Sequence, residues 1–333
     1  MKKLNKTVLL AAVLASAANA GVNVTGDATV GLKYVTKSST PANENSFVVS
    51  SGNNDSGQTH LNFAATNGGK GGNGVYAFVG TNVDITAGTD TTLTVDQAYV
   101  GYKANKYDTR MGTLDTLTYA WVGSLNEQQY FASNIATTAL YMKSNGNSAQ
   151  ATTKLGTVTL GAGFNLPSSS YDYTSYDLGA KFNVGKLALA VVYQKVNDAV
   201  ATNNYDKRNT TSAGLNYALK NLSSAKVLKD LVFTGTYSNS SDSTTASGAG
   251  KQSDKSTYSL GLKMNNASVM YQTGTSDGQD QWNIEYLRPL SKNASFGVTG
   301  QLASNYYGAT TGTTSSSQTV ADEFAAVFLT TTF

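Results

Sequence analysis

The sequence is dominated by a two-residue alternation of apolar and polar side chains, and this alternation limits the fold more than any other feature. In segment 22–34 the even positions carry mainly Val, Ala, Leu and Tyr, whereas the odd positions carry mainly Asn, Thr, Asp and Lys. The same alternation recurs around Tyr258 and Trp282. Because successive side chains of a β-strand point to opposite faces, the pattern predicts strands with one apolar and one polar face. No helical period fits these segments.

Sixteen segments of this kind are predicted along the chain, and most are ten to thirteen residues long. A tilted strand needs about 9 to 11 residues to cross a bilayer. An even number of strands can close into an antiparallel barrel, which leaves no strand edge without a hydrogen-bonding partner. The predicted strands are 21–34, 58–66, 75–85, 92–103, 107–113, 137–143, 154–164, 173–184, 186–196, 209–220, 230–240, 255–264, 267–274, 280–290, 294–306 and 322–333.

The connections between these strands differ in length in a regular way. Most connections at one end are short, and Gly185 and the pair Asn265-Asn266 are residue types typical of tight turns. Long loops at one end and short periplasmic turns at the other are typical of outer-membrane barrels. The longest predicted connections, all at the end opposite to the short turns, are 35–57, 114–136, 241–254 and 307–321.

A secreted β-sandwich or a fibrous adhesin would also contain alternating strands. A sandwich has to bury its apolar faces against each other, so this many long strands would have to form two or more domains. No linker and no repeat period divides the chain. In a membrane the apolar faces contact lipid instead. The sequence therefore favours an all-β, 16-stranded antiparallel transmembrane β-barrel.

The first twenty residues have the organisation of a secretory signal peptide. Lys2, Lys3 and Lys6 form a basic start, an apolar stretch follows at 8–15, and small residues surround the expected cleavage site after Ala20. A membrane anchor helix is the alternative, but the apolar stretch is shorter than the ~20 residues that span a bilayer. We therefore predict a cleaved signal peptide at 1–20 and a single barrel domain at 21–333.

The charges and the residue types present exclude several classes of function. The chain has 24 Lys and Arg against 21 Asp and Glu, and three of the lysines lie in the predicted signal peptide. The mature chain is therefore nearly neutral, which argues against nucleic acid as a partner. There is no Cys, which excludes a disulfide scaffold and thiolate metal sites. The single histidine, His60, has no Ser-Asp spacing pattern near it, so no enzyme activity, metal site or cofactor is expected.

Three neighbouring stretches resemble a known family. They are Gln-Ala-Tyr-Val-Gly-Tyr-Lys at 97–103, Tyr-Asp-Thr-Arg-Met-Gly at 107–112 and Leu-Asp-Thr at 114–116. Together they resemble the fourth strand, the fifth strand and the start of the third loop of Gram-negative general porins. The C-terminal Phe333 is similar to the terminal signal that the barrel-assembly machinery recognises in that family.

The resemblance implies a homotrimer in the outer membrane of a Gram-negative bacterium, surrounded by lipid, through which ions and small hydrophilic solutes diffuse passively. It also implies that the third loop, here 114–136, folds into the lumen and narrows it. In such loops acidic side chains face basic side chains of the wall, and the formal charges here are Asp115 and Glu127. The loop also contains Tyr119 and Trp121, which favour packing against the inner wall over exposure to solvent.

The polar faces of the strands form the predicted pore wall. The candidates for its charged side chains are Lys33, Lys103, Asp108 and Arg110. They are expected to point inward because a Lys or Arg side chain that faces lipid at mid-bilayer costs about 2 to 4 kcal/mol. Arg110 is the preferred basic residue of the constriction, and we expect a water-filled pore with a weak charge preference. The alternative function is a structural or adhesive barrel, but a filled lumen requires bulky apolar residues at inward positions that are mostly small or polar.

Overall fold

The structure is a computed structural model that shows a sheet closed on itself. The described residues form seventeen strand segments in one antiparallel sheet, and the first segment pairs with the last. The predicted signal peptide and Glu127 lie outside the described residues. The residues that the structure describes are 21–37, 45–50, 58–68, 73–84, 92–126, 144–166, 173–198, 207–219, 231–242, 255–274, 279–304 and 323–333.

The strand segments follow one another in chain order around the sheet, with one short helical stretch between the sixth and the seventh. This stretch consists of a helix, α1 (Leu117–Trp121), and a 3₁₀ turn (Gly123–Asn126). Neither has the length and hydropathy that a membrane-crossing helix needs, and no other helix in the described ranges does. The strands are β1 (Gly21–Lys37), β2 (Ser46–Ser50), β3 (Gln58–Gly68), β4 (Gly74–Asp84), β5 (Thr92–Lys103), β6 (Tyr107–Asp115), β7 (Ser144–Leu155), β8 (Val158–Asn165), β9 (Tyr173–Val184), β10 (Leu187–Asp198), β11 (Lys207–Ala218), β12 (Val232–Asp242), β13 (Lys255–Met264), β14 (Ala267–Gly274), β15 (Gln279–Pro289), β16 (Ala294–Ser304) and β17 (Glu323–Thr332).

Two of the seventeen segments share one position in the barrel. β2 pairs with the second half of β1, where Gly31 lies opposite Ser50, and β3 pairs with the first half, where Asp27 lies opposite His60. The two segments lie end to end, so the described sheet has sixteen strand positions. The predicted barrel of sixteen antiparallel strands, with the last strand paired to the first, is confirmed.

The sixth barrel strand is not where the sequence predicts it. Segment 137–143 lies outside the described residues, and the strand paired with β6 is β7. The predicted seventh strand, 154–164, corresponds to β8 but begins too early, because it includes the end of β7 and the turn between β7 and β8. The outward positions of β7 are Ala149, Ala151 and Thr153, each opposite an outward residue of β6. These small side chains give little apolar signal, so the alternation of β7 does not stand out in the sequence.

The predicted tight turns at Gly185 and at Asn265-Asn266 are confirmed, and a third turn, at Gly156, lies where a strand was predicted. Gly156, Gly185 and Asn265 each begin a two-residue turn, with φ of 62°, 59° and 51°. This left-handed conformation suits Gly and Asn. All three turns lie at the same end because successive antiparallel strands alternate in direction, and we call it the short-turn end. At the opposite end the predicted first loop, 35–57, is wrong in extent, because β2 lies within it.

The two faces of the sheet differ as the alternation predicts. In β15, Trp282, Ile284 and Tyr286 are 49%, 56% and 50% exposed, whereas Asn283 and Glu285 between them are 0% and 3% exposed. A continuous apolar outer surface is what a barrel presents to lipid. Soluble proteins rarely expose apolar patches of this extent, so the faces argue against the β-sandwich alternative.

The last strand also carries aromatic side chains on its inner face, which the alternation does not reveal. Phe324 and Phe328 are 4% and 2% exposed and pack with Val35 and Ala326. The ring of Phe328 lies over Gly297 of β16, where an added Cβ would be 2.1 Å from the ring Cζ. A glycine covered by a cross-strand aromatic ring is a known way to stabilise a bent sheet. Phe328 therefore packs at the place where the barrel closes.

Candidate pore wall and third loop

The chain forms α1 directly after β6 because Thr116 caps the helix. The Thr116 hydroxyl accepts a hydrogen bond from the Tyr119 amide at 3.2 Å. This cap satisfies one of the amide groups that a helix start leaves without a partner. Leu117, Thr118 and Tyr119 are all buried. The start of the third loop is therefore packed against protein.

Asp177 of β9 binds the start of α1. Its Oδ2 accepts a hydrogen bond from the Leu117 amide at 2.9 Å, and its Oδ1 accepts one from the Thr118 hydroxyl at 3.2 Å. The side chain of Gln194 on β10 also donates to this carboxylate. Asp177 is 1% exposed, whereas the next residue, Leu178, is 54% exposed on the outer face. Because neighbours in a strand face opposite ways, Asp177 and α1 lie on the inner face of the barrel.

Three glycines of the inner face leave room for the third loop. A Cβ built on Gly161 would lie 2.7 Å from Cη2 of Trp121, and one on Gly179 would lie 3.0 Å from Cζ3 of the same ring. A Cβ built on Gly214 would lie 2.9 Å from Cδ1 of Leu125. Glycine in a strand often marks such a close approach. A larger side chain at Gly161 would have to displace the Trp121 ring, whereas at Gly214 the contact is with the flexible end of Leu125, which can move aside.

An apolar cluster completes the contact between the loop and the wall. Leu117 and Val122 pack with Ala190 and Val192 of β10, and all four are at most 3% exposed. Trp121 packs against the same cluster. The described part of the third loop, 116–126, thus lies on the inner wall formed by β8 to β12.

The two predicted loop acids have different positions in the structure. Glu127 lies outside the described residues. Asp115 is the last residue of β6, and its Oδ2 accepts a hydrogen bond from the side chain of Gln97 on β5. Its backbone carbonyl accepts one from the side chain of Gln150 on β7. Asp115 is therefore bound to both neighbouring strands of the wall.

Arg110 forms an ion pair within its own strand. Its Nη2 lies 2.8 Å from Oδ2 of Asp108, and its Nε donates to the Tyr76 hydroxyl at 2.9 Å. The Tyr76 hydroxyl in turn donates to Asp108. The guanidinium carbon lies 5.5 Å from the ring centroid of Tyr99, within the range of a cation–π contact. Met111, the next residue, is 69% exposed on the outer face, so Arg110 faces inward with its charge largely compensated.

The two predicted wall lysines lie apart from each other. Lys33 of β1 is 9% exposed, and its Nζ lies 4.3 Å from the ring centroid of Phe324. Lys103 is the last residue of β5, is exposed, and lies opposite Asp108 in the register of β5 and β6. The structure therefore brings Lys103, Asp108 and Arg110 together near the short-turn end and leaves Lys33 on a different part of the wall.

Solved structures share this arrangement of strands. The anion-selective porin from Comamonas acidovorans matches with a TM-score of 0.67 and 15% identity, over 95% of this chain and 100% of that chain. A loop-deletion mutant of OmpT, an outer membrane protein of Vibrio cholerae, matches with a TM-score of 0.62 and 12% identity, over 94% and 99%. A triple mutant of the Rhodopseudomonas blastica porin matches with a TM-score of 0.59 and 13% identity, over 94% and 100%. The barrel has the porin fold.

The porin fold is recognised here from the path of the backbone, because so few residues are identical. No protein-family model matches the sequence, and no curated protein matches it.

Within the porin fold, several contacts of the candidate pore wall join residues that are far apart in the sequence. Alternation places Asp177 on the inner face, but nothing in the local pattern connects it to Leu117, 60 residues earlier. His60 lies opposite Asp27 of β1, with Nδ1 3.0 Å from Oδ1, and these two residues are also far apart in the sequence. A signal for the loop contact does exist, since Gly161 and Gly179 occupy inward positions where a pore wall needs no glycine.

The inner face of β11 to β16 is lined mainly by hydroxyl and amide groups that bind one another. The hydroxyls of Ser212 and Ser238 are 2.8 Å apart, and Gln281 donates to Gln301 at 2.8 Å. This part of the wall is polar but carries few charges. Across the described ranges, no three His, Asp or Glu side chains form a group that could bind a metal ion.

Proposed function

We propose that this chain is an outer-membrane porin, a passive diffusion channel for ions and small hydrophilic solutes. The observation that carries the proposal is a closed barrel of sixteen strand positions with an apolar outer face and a polar inner face. A barrel of this size encloses a water-filled channel. Solutes cross such a channel down their gradients and are selected by size and charge. No chemical step and no cofactor is part of this function.

The proposed location is the outer membrane of a Gram-negative bacterium. The signal peptide at 1–20 directs export and is removed, which leaves the barrel at 21–333. The short-turn end faces the periplasm and the long loops face outward, as in other outer-membrane barrels. The apolar outer face contacts lipid and, in a homotrimer, two further copies of the chain.

Phe333 is the proposed terminal signal for the barrel-assembly machinery. Its amide and its carbonyl each form a hydrogen bond with Gly26 of β1 at 3.0 Å. Its ring covers Gly26 and is 57% exposed on the outer face. Before β17 pairs with β1 this ring and the adjoining strand edge are accessible, which supports recognition there by an assembly factor.

The third loop is the proposed constriction of the channel. Its contact with the inner wall over 116–126 supports this role, and Glu127 follows directly. Asp115 belongs to the start of the same loop, and the proposed wall residues are Lys33, Lys103, Asp108 and Arg110. Because Asp108 compensates Arg110, the channel should have a weak charge preference.

Reconstitution in a planar lipid bilayer tests the channel. Stepwise increases in conductance are expected as single molecules insert, and proteoliposomes should swell in solutions of small sugars. An adhesive or structural barrel with a filled lumen would give neither result. A strong anion or cation reversal potential would contradict the weak charge preference.

Neutralising Arg110 is expected to make the channel prefer cations. Arg110→Gln removes the cation that forms an ion pair with the Asp108 carboxylate on the inner wall. One unit charge about 7 Å from the path of an ion in water changes its energy by about 0.6 kcal/mol, or about threefold in the ratio of permeabilities. The reversal potential across a KCl gradient measures this ratio.

Asp108→Asn is the matched control for Arg110→Gln, because it removes the opposite charge of the same pair. It should shift the permeability ratio toward anions by a similar factor. The double variant should return to the ratio of the unchanged protein. If neither single variant shifts the reversal potential, the pair does not face the path of the ions.

A further inference from the structure

We infer that Asp177 positions the third loop against the barrel wall and thereby sets the width of the channel. This role rests on the proposed channel function, but it concerns a different part of the wall from the pair of Arg110 and Asp108. The geometry behind it is a single buried carboxylate that binds two groups in the first turn of α1.

The carboxylate of Asp177 has one hydrogen-bond donor of the loop at each of its oxygens. Each of its two oxygens accepts a hydrogen bond from a different donor, the Leu117 amide and the Thr118 hydroxyl. Both donors are buried, and the amide belongs to a helix start, where no intrahelical acceptor exists. Without the carboxylate, the two donors would be buried with no acceptor, which strongly favours their movement into water.

The glycines determine where the other end of α1 lies. Trp121, the last residue of the helix, lies over Gly161 and Gly179, where an added Cβ would come within 2.7 and 3.0 Å of its ring. The helix is 5 residues long and is held at both ends. Asp177 binds its first turn, and the Trp121 ring at its last residue contacts Gly161 and Gly179. A shift along the wall would break one of the two contacts. The arrangement therefore specifies one position of the loop rather than a range.

Asp177 acts on conduction through the loop and not through its charge. It is 1% exposed and its oxygens are hydrogen-bonded to the loop, so it does not face the path of the solutes. It is a positioning residue. Its removal should change the conductance and the noise of the open channel more than the ion selectivity.

Single-channel recording of Asp177→Ala tests the role directly. The loop is expected to leave the wall, with a change of about twofold in conductance and a clear increase in open-channel noise. Asp177→Asn is the conservative control, because its amide retains an oxygen for the Leu117 amide and a nitrogen that can donate to the Thr118 hydroxyl. It should conduct like the unchanged protein. Wild-type conductance and noise in Asp177→Ala would overturn the inference.

A disulfide provides a rescue, because the chain has no cysteine of its own. A Cβ on Gly214 would lie 3.4 Å from Cα of Val122, so the two positions are adjacent and are candidates for an engineered disulfide, whose formation non-reducing gels would show. In Asp177→Ala, the added pair Val122→Cys and Gly214→Cys should restore the conductance when oxidised and lose it again when reduced. Failure of the oxidised protein to recover would overturn the inference.

The same cysteine pair in a protein that keeps Asp177 is the control for folding. Its conductance should be equal in the oxidised and reduced states, because Asp177 already positions the loop. A change on reduction would mean that Asp177 is not sufficient, and would also overturn the inference. This comparison does not depend on whether Asp177→Ala folds.

Tryptophan fluorescence separates this inference from the proposed function. The chain has two tryptophans, and Trp282→Phe leaves Trp121 as the reporter. In that background Asp177→Ala should shift the emission of Trp121 to longer wavelength as the ring leaves the wall. If the protein without substitutions gives no conductance in a bilayer, the channel function is contradicted, but the role of Asp177 is not. If Asp177→Ala leaves the emission wavelength of Trp121 unchanged, the role of Asp177 is contradicted.

Discussion

Phe328→Ala is expected to destabilise the closed barrel by about 3 to 5 kcal/mol. The ring is 2% exposed, packs with Val35 and Phe324, and lies on the strand that joins β16 to β1. Its removal would leave a cavity at the closure of the barrel, where the surrounding sheet cannot easily collapse. Unfolding by urea from lipid vesicles measures the change, with the heat-dependent migration of the folded barrel in gels as the signal.

Phe328→Leu is the matched control, because it retains most of the volume at the same position. A change of this kind usually costs less than about 1.5 kcal/mol. Gly297→Ala provides a second test, since its Cβ would lie 2.1 Å from the Phe328 ring and would force the ring to move. With Phe328→Ala present, that clash disappears, so the double variant should be less destabilised than the sum of the two single ones. Additive losses would contradict the contact.

Leu215→Arg is expected to prevent most of the protein from inserting as a folded barrel. Leu260 of β13 is 64% exposed on the outer face. Leu215 of β11 and Leu260 both pair with Gly235 of the intervening strand β12, so Leu215 lies on the outer face too. An arginine side chain on the lipid face is destabilising by about 2 to 4 kcal/mol at mid-bilayer, and by less toward the interfaces. The fraction of folded protein after dilution from urea into lipid vesicles measures the effect.

Asn216→Arg is the control for Leu215→Arg, since it places the same side chain one residue further along the strand. Asn216 lies opposite Ala188 and Thr234 on the inner face, where an arginine side chain can reach water. The folded fraction should therefore stay close to that of the unchanged protein. Equal losses in the two variants would show that the faces of β11 are not inner and outer as assigned.

The strand plan could be predicted wherever the outer face is strongly apolar. In β1, β13 and β15 the alternation identifies both the strand and its faces, and Gly185 and Asn265 identify turns because few other residues adopt positive φ. The plan failed at β7, where Ala149 and Ala151 face outward and give a weak signal. It also missed β2, a segment of 5 residues between two connections.

The candidate site could be predicted only as a list of inward side chains. Alternation places Arg110 and Asp108 on one face, and their spacing of two residues makes an ion pair plausible within a strand. It does not show that Tyr76 and Tyr99 surround the pair, since these residues belong to β4 and β5. It does not connect Asp177 to Leu117 either, because that contact joins a loop to a strand three positions further around the barrel.

By itself the sequence determined which face of the sheet each well-patterned residue occupies, because the side-chain period of a strand is two and any slip would turn apolar groups away from lipid. It also determined the closure of β17 on β1, since an even number of paired strands leaves no other partner for the last one. Only the tertiary structure decided which inward residues meet. That depends on the register between distant strands and on the fit of Trp121 over Gly161 and Gly179, which are contacts between residues that no local period connects.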